Sequence, residues 1–261
     1  MASGQRIAVV GATGAVGQTT LKILAERAFP VRELRAYASA RSAGKSVTFA
    51  GESIPVLELT ADSFKGIDFA FFSAGSEQSR KFAPAAVKAG AIVIDKSSAF
   101  RMDADVPLVV PEINGAAARA HKGIVACPNC TTIVTVMPLK PLHDAGRLRR
   151  VVATSFQAVS GAGVGGVAEL REQTLAWAKG EPLKAHFFQH QIAFNVIPHI
   201  DKFVEGGYTG EEIKLVNEVR KILGTPDLPI SPTTVRVPVF TAHSISVNAE
   251  TEMKVSAARA R

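Results

Sequence analysis

Three glycines at three-residue spacing, Gly11, Gly14 and Gly17, separate an apolar run, Arg6 to Val10, from a segment of helical periodicity, Val16 to Ala28. A strand that turns through such glycines into a helix opens a parallel α/β unit. The glycines let the backbone approach a pyrophosphate lying on the helix N-terminus. Gly11, Thr13, Gly14, Ala15 and Val16 are therefore the first candidate cofactor contacts, with the Thr13 hydroxyl as a further donor. The competing reading, a turn without a ligand, is the weaker one because the motif sits at the first βα junction. An acidic residue at the end of the second strand selects NAD by accepting the ribose hydroxyl. Here that position reads Ala38-Ser39-Ala40-Arg41-Ser42. A cation and two hydroxyls suit a 2′-phosphate, so NADP(H) is the expected cofactor and Ser39, Arg41 and Ser42 its expected contacts. The alternative for Arg41 is an exposed loop arginine.

The alternation continues. Leu34 to Ala38, Phe69 to Phe72 and Ile92 to Ile94 read as near-continuous apolar strands, and Ser76 to Ala89 as a helix. Such strands imply a parallel sheet covered on both faces, and residues 1–127 are expected to form a doubly wound nucleotide-binding domain. Around Cys127 the pattern changes. A helix from Thr131 to Ala145 is followed by a long strand from Arg149 to Ala158 and a glycine run. Helices near Val167 to Ala178 and at Glu211 to Leu223 follow, with strands near Val235 and at Ser244 to Thr251. Residues 128–261 read as a mixed α+β segment suited to catalysis and dimerisation. Its basic, alanine-rich end shows no closing element, and the strand from Ser244 leads to no partner that the sequence reveals.

With 47% hydrophobic residues over 261, the chain can bury a sizeable core. The N-terminus lacks a signal-peptide pattern and no segment reaches the length of a membrane span, so a cytoplasmic protein is expected. The formal charge of +7 is spread along the chain without alternation of basic and aromatic residues, which argues against nucleic-acid partners. The two cysteines, Cys127 and Cys130, are too few for a disulfide framework. As a C-x-x-C zinc site they lack a second ligand pair, and no metal is expected. Cys130 directly precedes an apolar helical segment. There the helix dipole and free N–H groups are expected to lower a thiol pKa and stabilise an oxyanion, the environment of a nucleophile. The bland alternative is a small buried cysteine, which Cys127 fits. Oxidative closure of the pair into an inactivating disulfide is a secondary expectation.

Read together, GATGAVG, ASARSAG, SAGS (Ser73 to Ser76), DKSSAFRMD (Asp95 to Asp103), VPEIN, PNCTT, FQAVSGAG (Phe156 to Gly163), EEIK (Glu211 to Lys214) and RVPVFTAHS (Arg236 to Ser244) appear in order. The chain resembles the aspartate-β-semialdehyde dehydrogenase family over essentially its whole length. The resemblance implies a Rossmann-like domain joined to a catalytic and dimerisation domain of the glyceraldehyde-3-phosphate-dehydrogenase-like type. It also implies NADPH-dependent interconversion of L-aspartyl-4-phosphate and L-aspartate semialdehyde, on the route to lysine, threonine and methionine. Cys130 then resembles the nucleophile, His243 the general acid and base, and Gln157 the residue that orients the acyl group. Arg101 and Lys214 resemble phosphate-binding cations, Arg236 the arginine that holds the substrate carboxylate, and Glu211 the acid that meets the α-amino group. Asn129 is expected to assist near the phosphate or oxyanion. Ser73, Ala74 and Gly75, with Ser160, Gly161 and Gly163, are implied cofactor contacts. The remaining histidines, among them His186, His190 and His199, carry no such motif. A homodimer or dimer of dimers is implied.

Family members continue past the position of Arg261 with a further strand segment and a final helix, so an exposed strand edge and weakened cofactor binding and dimerisation are expected here. A fragment that binds nucleotide without turnover is the alternative from a different class. Among enzymes the nearest rival is N-acetyl-γ-glutamyl-phosphate reductase, which PNCTT and EEIK argue against. A short-chain reductase needs a Tyr-x-x-x-Lys pair, yet Tyr37 and Tyr208 are followed four residues on by Arg41 and Glu212.

Overall fold

The computed structural model describes residues 4–261, which divide into two compact units at Pro128 and Asn129. In the first unit the elements run β1 (Gln5–Val10), α1 (Ala15–Glu26), β2 (Val31–Ala38), β3 (Ser46–Phe49), β4 (Glu52–Glu58), β5 (Phe69–Phe72), α2 (Ser76–Lys88), β6 (Ile92–Asp95), α3 (Pro111–Asn114) and β7 (Ile124–Ala126). Seven strands form one sheet in the order β3-β4-β2-β1-β5-β6-β7. The chain winds one way from β1 to β2 and the other way to β5, so the carboxyl ends of β1 and β5 flank the switch point where doubly wound sheets bind ligands. Ile7 and Val9 of β1 pack with Leu21 and Leu24 of α1 and with Ala36 and Val56 on the neighbouring strands.

One strand departs from the expected all-parallel sheet. β3 pairs antiparallel with β4, with Phe49 opposite Glu52, so Ala50 and Gly51 alone make the turn. Both have positive φ, +49° and +87°, as a two-residue hairpin with right-handed twist demands. An alanine at the first turn position, where asparagine or aspartate is usual, is why the sequence did not announce the hairpin.

The second unit runs α4 (Cys130–Gly146), β8 (Leu148–Gln157), α5 (Val164–Ala178), α6 (Gly210–Leu223), β9 (Ile230–Arg236), β10 (Ser244–Thr251) and α7 (Ala257–Ala260). Its sheet has the order β10-β8-β9, with β9 parallel and β10 antiparallel to the central strand. The strand beginning at Ser244 therefore has a partner, with Ser244 opposite Phe156. The basic end forms a single exposed helical turn. Ser256 accepts a hydrogen bond from the Arg259 N–H at 3.2 Å and caps a single turn of good helix formers. Thr209 and Glu212 form a reciprocal capping box at the start of α6, and Gly224 ends it in the left-handed conformation. Among the described residues no helix is long and apolar enough to cross a membrane.

Candidate active site

The second unit gathers most of the chemistry. Asn129 caps α4: its Oδ1 accepts from the N–H groups of Thr131 at 2.8 Å and Thr132 at 3.4 Å, which fixes Cys130 as the first residue of the helix. The Asn129 N–H donates to the buried carboxylate of Glu218 at 2.6 Å, and its Nδ2 donates to Glu211 Oε1 at 2.9 Å. Gln157 ends β8 directly opposite Arg236 at the end of β9, so the parallel register alone makes neighbours of residues far apart in sequence. Gln157 Nε2 donates to Ser155 Oγ at 3.2 Å and reaches Glu211 Oε1 at 3.4 Å. Lys214, one turn beyond Glu211 on α6, donates to Glu211 Oε2 at 3.4 Å and to Asp201 Oδ2 at 2.6 Å.

His243 lies 113 residues from Cys130 in sequence, yet its Nε2 is 3.3 Å from the Cys130 sulfur. The segment that carries it is tied back to the end of β8: Val237 N–H donates to Gln157 O at 3.0 Å, Val159 N–H to Val239 O at 2.9 Å, and Ser160 N–H to Phe240 O at 3.1 Å. The backbone of Ala158, just past the end of β8, joins the two ends of this arrangement. Its N–H donates to His243 Nδ1 at 3.1 Å and its carbonyl accepts from Arg236 Nη1 at 2.8 Å. With Nδ1 accepting, the neutral ring carries its proton on Nε2 and presents it to sulfur. Taking up a proton at Nε2 therefore requires the ring to change tautomer and release Ala158. Gly161 sits under both side chains: a Cβ there would lie 3.0 Å from Arg236 Nη1 and 3.1 Å from His243 Cε1. Ser160 shares its short helical turn, and Gly163 follows with φ of +87°.

The electrostatics reverse one expectation. Part of Cys130 meets solvent, but burial of the thiol, and next the negative charge of Glu211, push its pKa up, against a smaller opposing pull from hydrogen bonding to Thr131. Burial, followed by the Arg236 charge, pushes His243 down, with Glu211 opposing. The resting pair is thus a neutral thiol beside a neutral imidazole.

In the first unit a cleft of about 540 Å³ is lined by Gly11, Thr13, Gly14, Ser39, Arg41, Ser42, Ser73 and Ala74. Lys81 and Gln78 of α2 also line it, neither being part of a motif legible in the sequence. Ala15 and Val16 open α1, and Gly75 caps α2 with φ of +87°. The glycine turn, hydroxyls and cations of the cleft suit the phosphate-bearing part of a dinucleotide. A Cβ on Gly11 would lie 2.8 Å from Ser73 O, and one on Gly17 only 2.2 Å from Gly11 O, so the turn closes only with glycine at both places. No side chain caps α1 at Gly14 and no acidic residue occupies its first turn, which leaves the helix N-terminus to an anion. Arg101 is also in this unit, buried, donating through Nε to Cys127 O at 2.9 Å and through Nη2 to Lys96 O at 3.1 Å. Cys127 is a free thiol, raised chiefly by burial. Among the described residues no cluster of His, Cys, Asp and Glu could hold a metal ion.

Two family descriptions match: "Semialdehyde dehydrogenase, NAD binding domain" over residues 6–121, and "Semialdehyde dehydrogenase, dimerisation domain" over residues 139–261. The aspartate-semialdehyde dehydrogenase of Aquifex aeolicus is 53% identical over 99% of this chain and 77% of its own length. The chain belongs to the aspartate-semialdehyde dehydrogenase family. A crystal structure of a family member, aspartate semialdehyde dehydrogenase II of Vibrio cholerae complexed with ASA, superimposes with a TM-score of 0.96 at 45% identity, over 99% of this chain and 77% of that one. The enzyme of Candida albicans with NADP superimposes with a TM-score of 0.71 at 26% identity, over 97% of this chain and 73% of that one.

Proposed function

We propose that this chain is an NADP-dependent oxidoreductase that interconverts L-aspartyl-4-phosphate and L-aspartate 4-semialdehyde through a thioester on Cys130. One observation carries the reading: a thiol at the first turn of α4 lies 3.3 Å from the ring of His243 and within electrostatic reach of Glu211 and Arg236. The family, and the relatives solved with ASA and with NADP, support the substrate and cofactor.

In the reductive direction the Cys130 thiolate attacks the acyl carbon. The sulfur–carbon bond forms, the carbon–oxygen bond to phosphate breaks, and a thioester remains on Sγ. When bound, the nicotinamide supplies the hydride that reduces this carbonyl. Protonation of the resulting oxygen, then cleavage of the sulfur–carbon bond, releases the aldehyde and restores the thiol, with His243 moving these protons at Sγ and the adjacent oxygen. Gln157 and Asn129 orient the acyl group. Arg236 keeps donors beyond the one given to Ala158 and takes the substrate carboxylate, while Glu211 meets the ammonium. Arg101 and Lys214 take the phosphate. Gly11, Thr13, Gly14, Ala15, Val16, Ser39, Arg41, Ser42, Ser73, Ala74 and Gly75 are the proposed cofactor contacts in the first unit, with Ser160, Gly161 and Gly163 those in the second.

The dimerisation-domain match and exposed Trp177 and Phe194, whose rings meet at 4.8 Å, support assembly as a homodimer or a dimer of dimers. We propose a cytoplasmic location. The deciding assay is phosphate-dependent reduction of NADP with aspartate semialdehyde, beside a Cys130→Ala control. Turnover that falls by at least about 1,000-fold in the control is expected for loss of a covalent nucleophile. Turnover that survives in Cys130→Ala would overturn the mechanism.

A further inference from the structure

Asp201 has no part in the chemistry above, yet the fold spends much to hold it. It is a non-glycine residue with φ of +72°, in the left-handed region where strained residues gather at functional sites. The segment around it folds back on itself: Gly210 N–H donates to Lys202 O at 2.8 Å and Val204 N–H to Tyr208 O at 2.8 Å. This brings Asp201 against the first turn of α6. Gly210 makes room for it, since a Cβ there would lie 2.8 Å from Asp201 Oδ2. The carboxylate accepts from the Lys202 N–H through Oδ1 at 2.9 Å and from Lys214 Nζ through Oδ2 at 2.6 Å.

Lys214 therefore stands between two carboxylates, Asp201 at 2.6 Å and Glu211 at 3.4 Å. The three side chains together carry one net negative charge. A phosphate dianion that approaches the ammonium must weaken a close ion pair and draw near to two like charges, both unfavourable. Glu211 has Asn129 and Gln157 as further side-chain partners, while Asp201 makes the shorter contact with Lys214 and is the stronger competitor for its ammonium.

We propose that Asp201 acts through Lys214 by competing with phosphate for its ammonium, holding phosphate affinity low enough for the group to leave after each turnover. The proposal rests on the reading of Lys214 as a phosphate-binding cation. Asp201→Asn removes the charge while keeping the shape, and asparagine tolerates the left-handed backbone. Calorimetric titration of the full chain with inorganic phosphate tests it. Asp201→Asn is expected to bind phosphate about three- to tenfold more tightly than wild type at low salt. The advantage should shrink in 0.5 M sodium chloride, about where the Debye length falls towards 4 Å, a dependence that a purely structural role would not show. Unchanged or weaker phosphate binding by Asp201→Asn, or none by either protein, overturns the proposal. Lys214→Met separates the two ideas. If it leaves phosphate affinity untouched, the phosphate role of Lys214 itself fails; if it weakens binding while Asp201→Asn does not strengthen it, only the competition fails.

Discussion

At the scale of single residues, the site is a balance between burial and charge. Cys130 sits where a helix dipole favours a thiolate, but burial and Glu211 hold the proton on sulfur. Alkylation by iodoacetamide should consequently rise with pH and reach its midpoint above the ordinary thiol value of 9.0. Glu211→Gln removes the second-largest cause of the upward shift, so its curve should move to lower pH; a curve that stays in place would show that burial alone sets the thiol. The motif around Cys130 was readable because a cysteine in the first turn of a helix is a local feature, and the three-residue spacing of Glu211 and Lys214 was readable for the same reason; the capping role of Asn129 was not. Nor were Glu218, Asp201 and the backbone of Ala158. Their partners lie 89, 13 and 85 residues away, and nothing in the local pattern distinguishes a carboxylate that caps a remote backbone from one on a solvated helix face.

Elements expose how little room the local rules leave. Gly17 is in helix α1, where alanine is ordinarily preferred by about 1 kcal/mol. Here a Cβ would lie 2.2 Å from Gly11 O and 2.8 Å from Ala12 Cα, both backbone atoms that cannot swing away. Gly17→Ala is therefore expected to destabilise the protein by about 1–3 kcal/mol, the cost of forced overpacking, and to loosen the nucleotide turn. Urea unfolding measures this, and an unchanged midpoint would contradict the close approach. The opposite sign is expected at Ala50, whose φ of +49° strains an L-residue in the β3–β4 turn. Ala50→Gly should stabilise by about 0.5–1 kcal/mol by relieving that strain, seen as a higher urea midpoint without change in slope. The longer helices and the parallel strands β1, β2, β5 and β6 were legible from periodicity, while the parallel strands β4 and β7 were not. Nor were the hairpin and the terminal turn α7, because each is too short to show a period, and the hairpin opens on an alanine.

For the whole molecule, the cleft at the switch point of the first sheet links the fold to cofactor choice. A ligand that binds only the folded state at 100 times its Kd adds about 2.7 kcal/mol, or about 5–10 °C in apparent melting temperature for a chain of this size. NADP should produce such a shift, NAD a much smaller one, and Arg41→Ala should erase most of the difference. Equal shifts with both dinucleotides would remove Arg41 and its neighbouring hydroxyls from cofactor selection. What the sequence determined by itself depends on near neighbours: the glycine turn, the first-turn cysteine, the periods of the longer helices and of several strands, and the ordered motifs that reveal the family. Only the tertiary structure decided which of those pieces meet. The parallel register that sets Gln157 beside Arg236, the return of the His243 segment to the cysteine at α4, and the placing of Asp201 on Lys214 all join residues through pairing and packing across long stretches of chain. Such contacts are chosen by the fit of whole surfaces, and no local pattern carries that information.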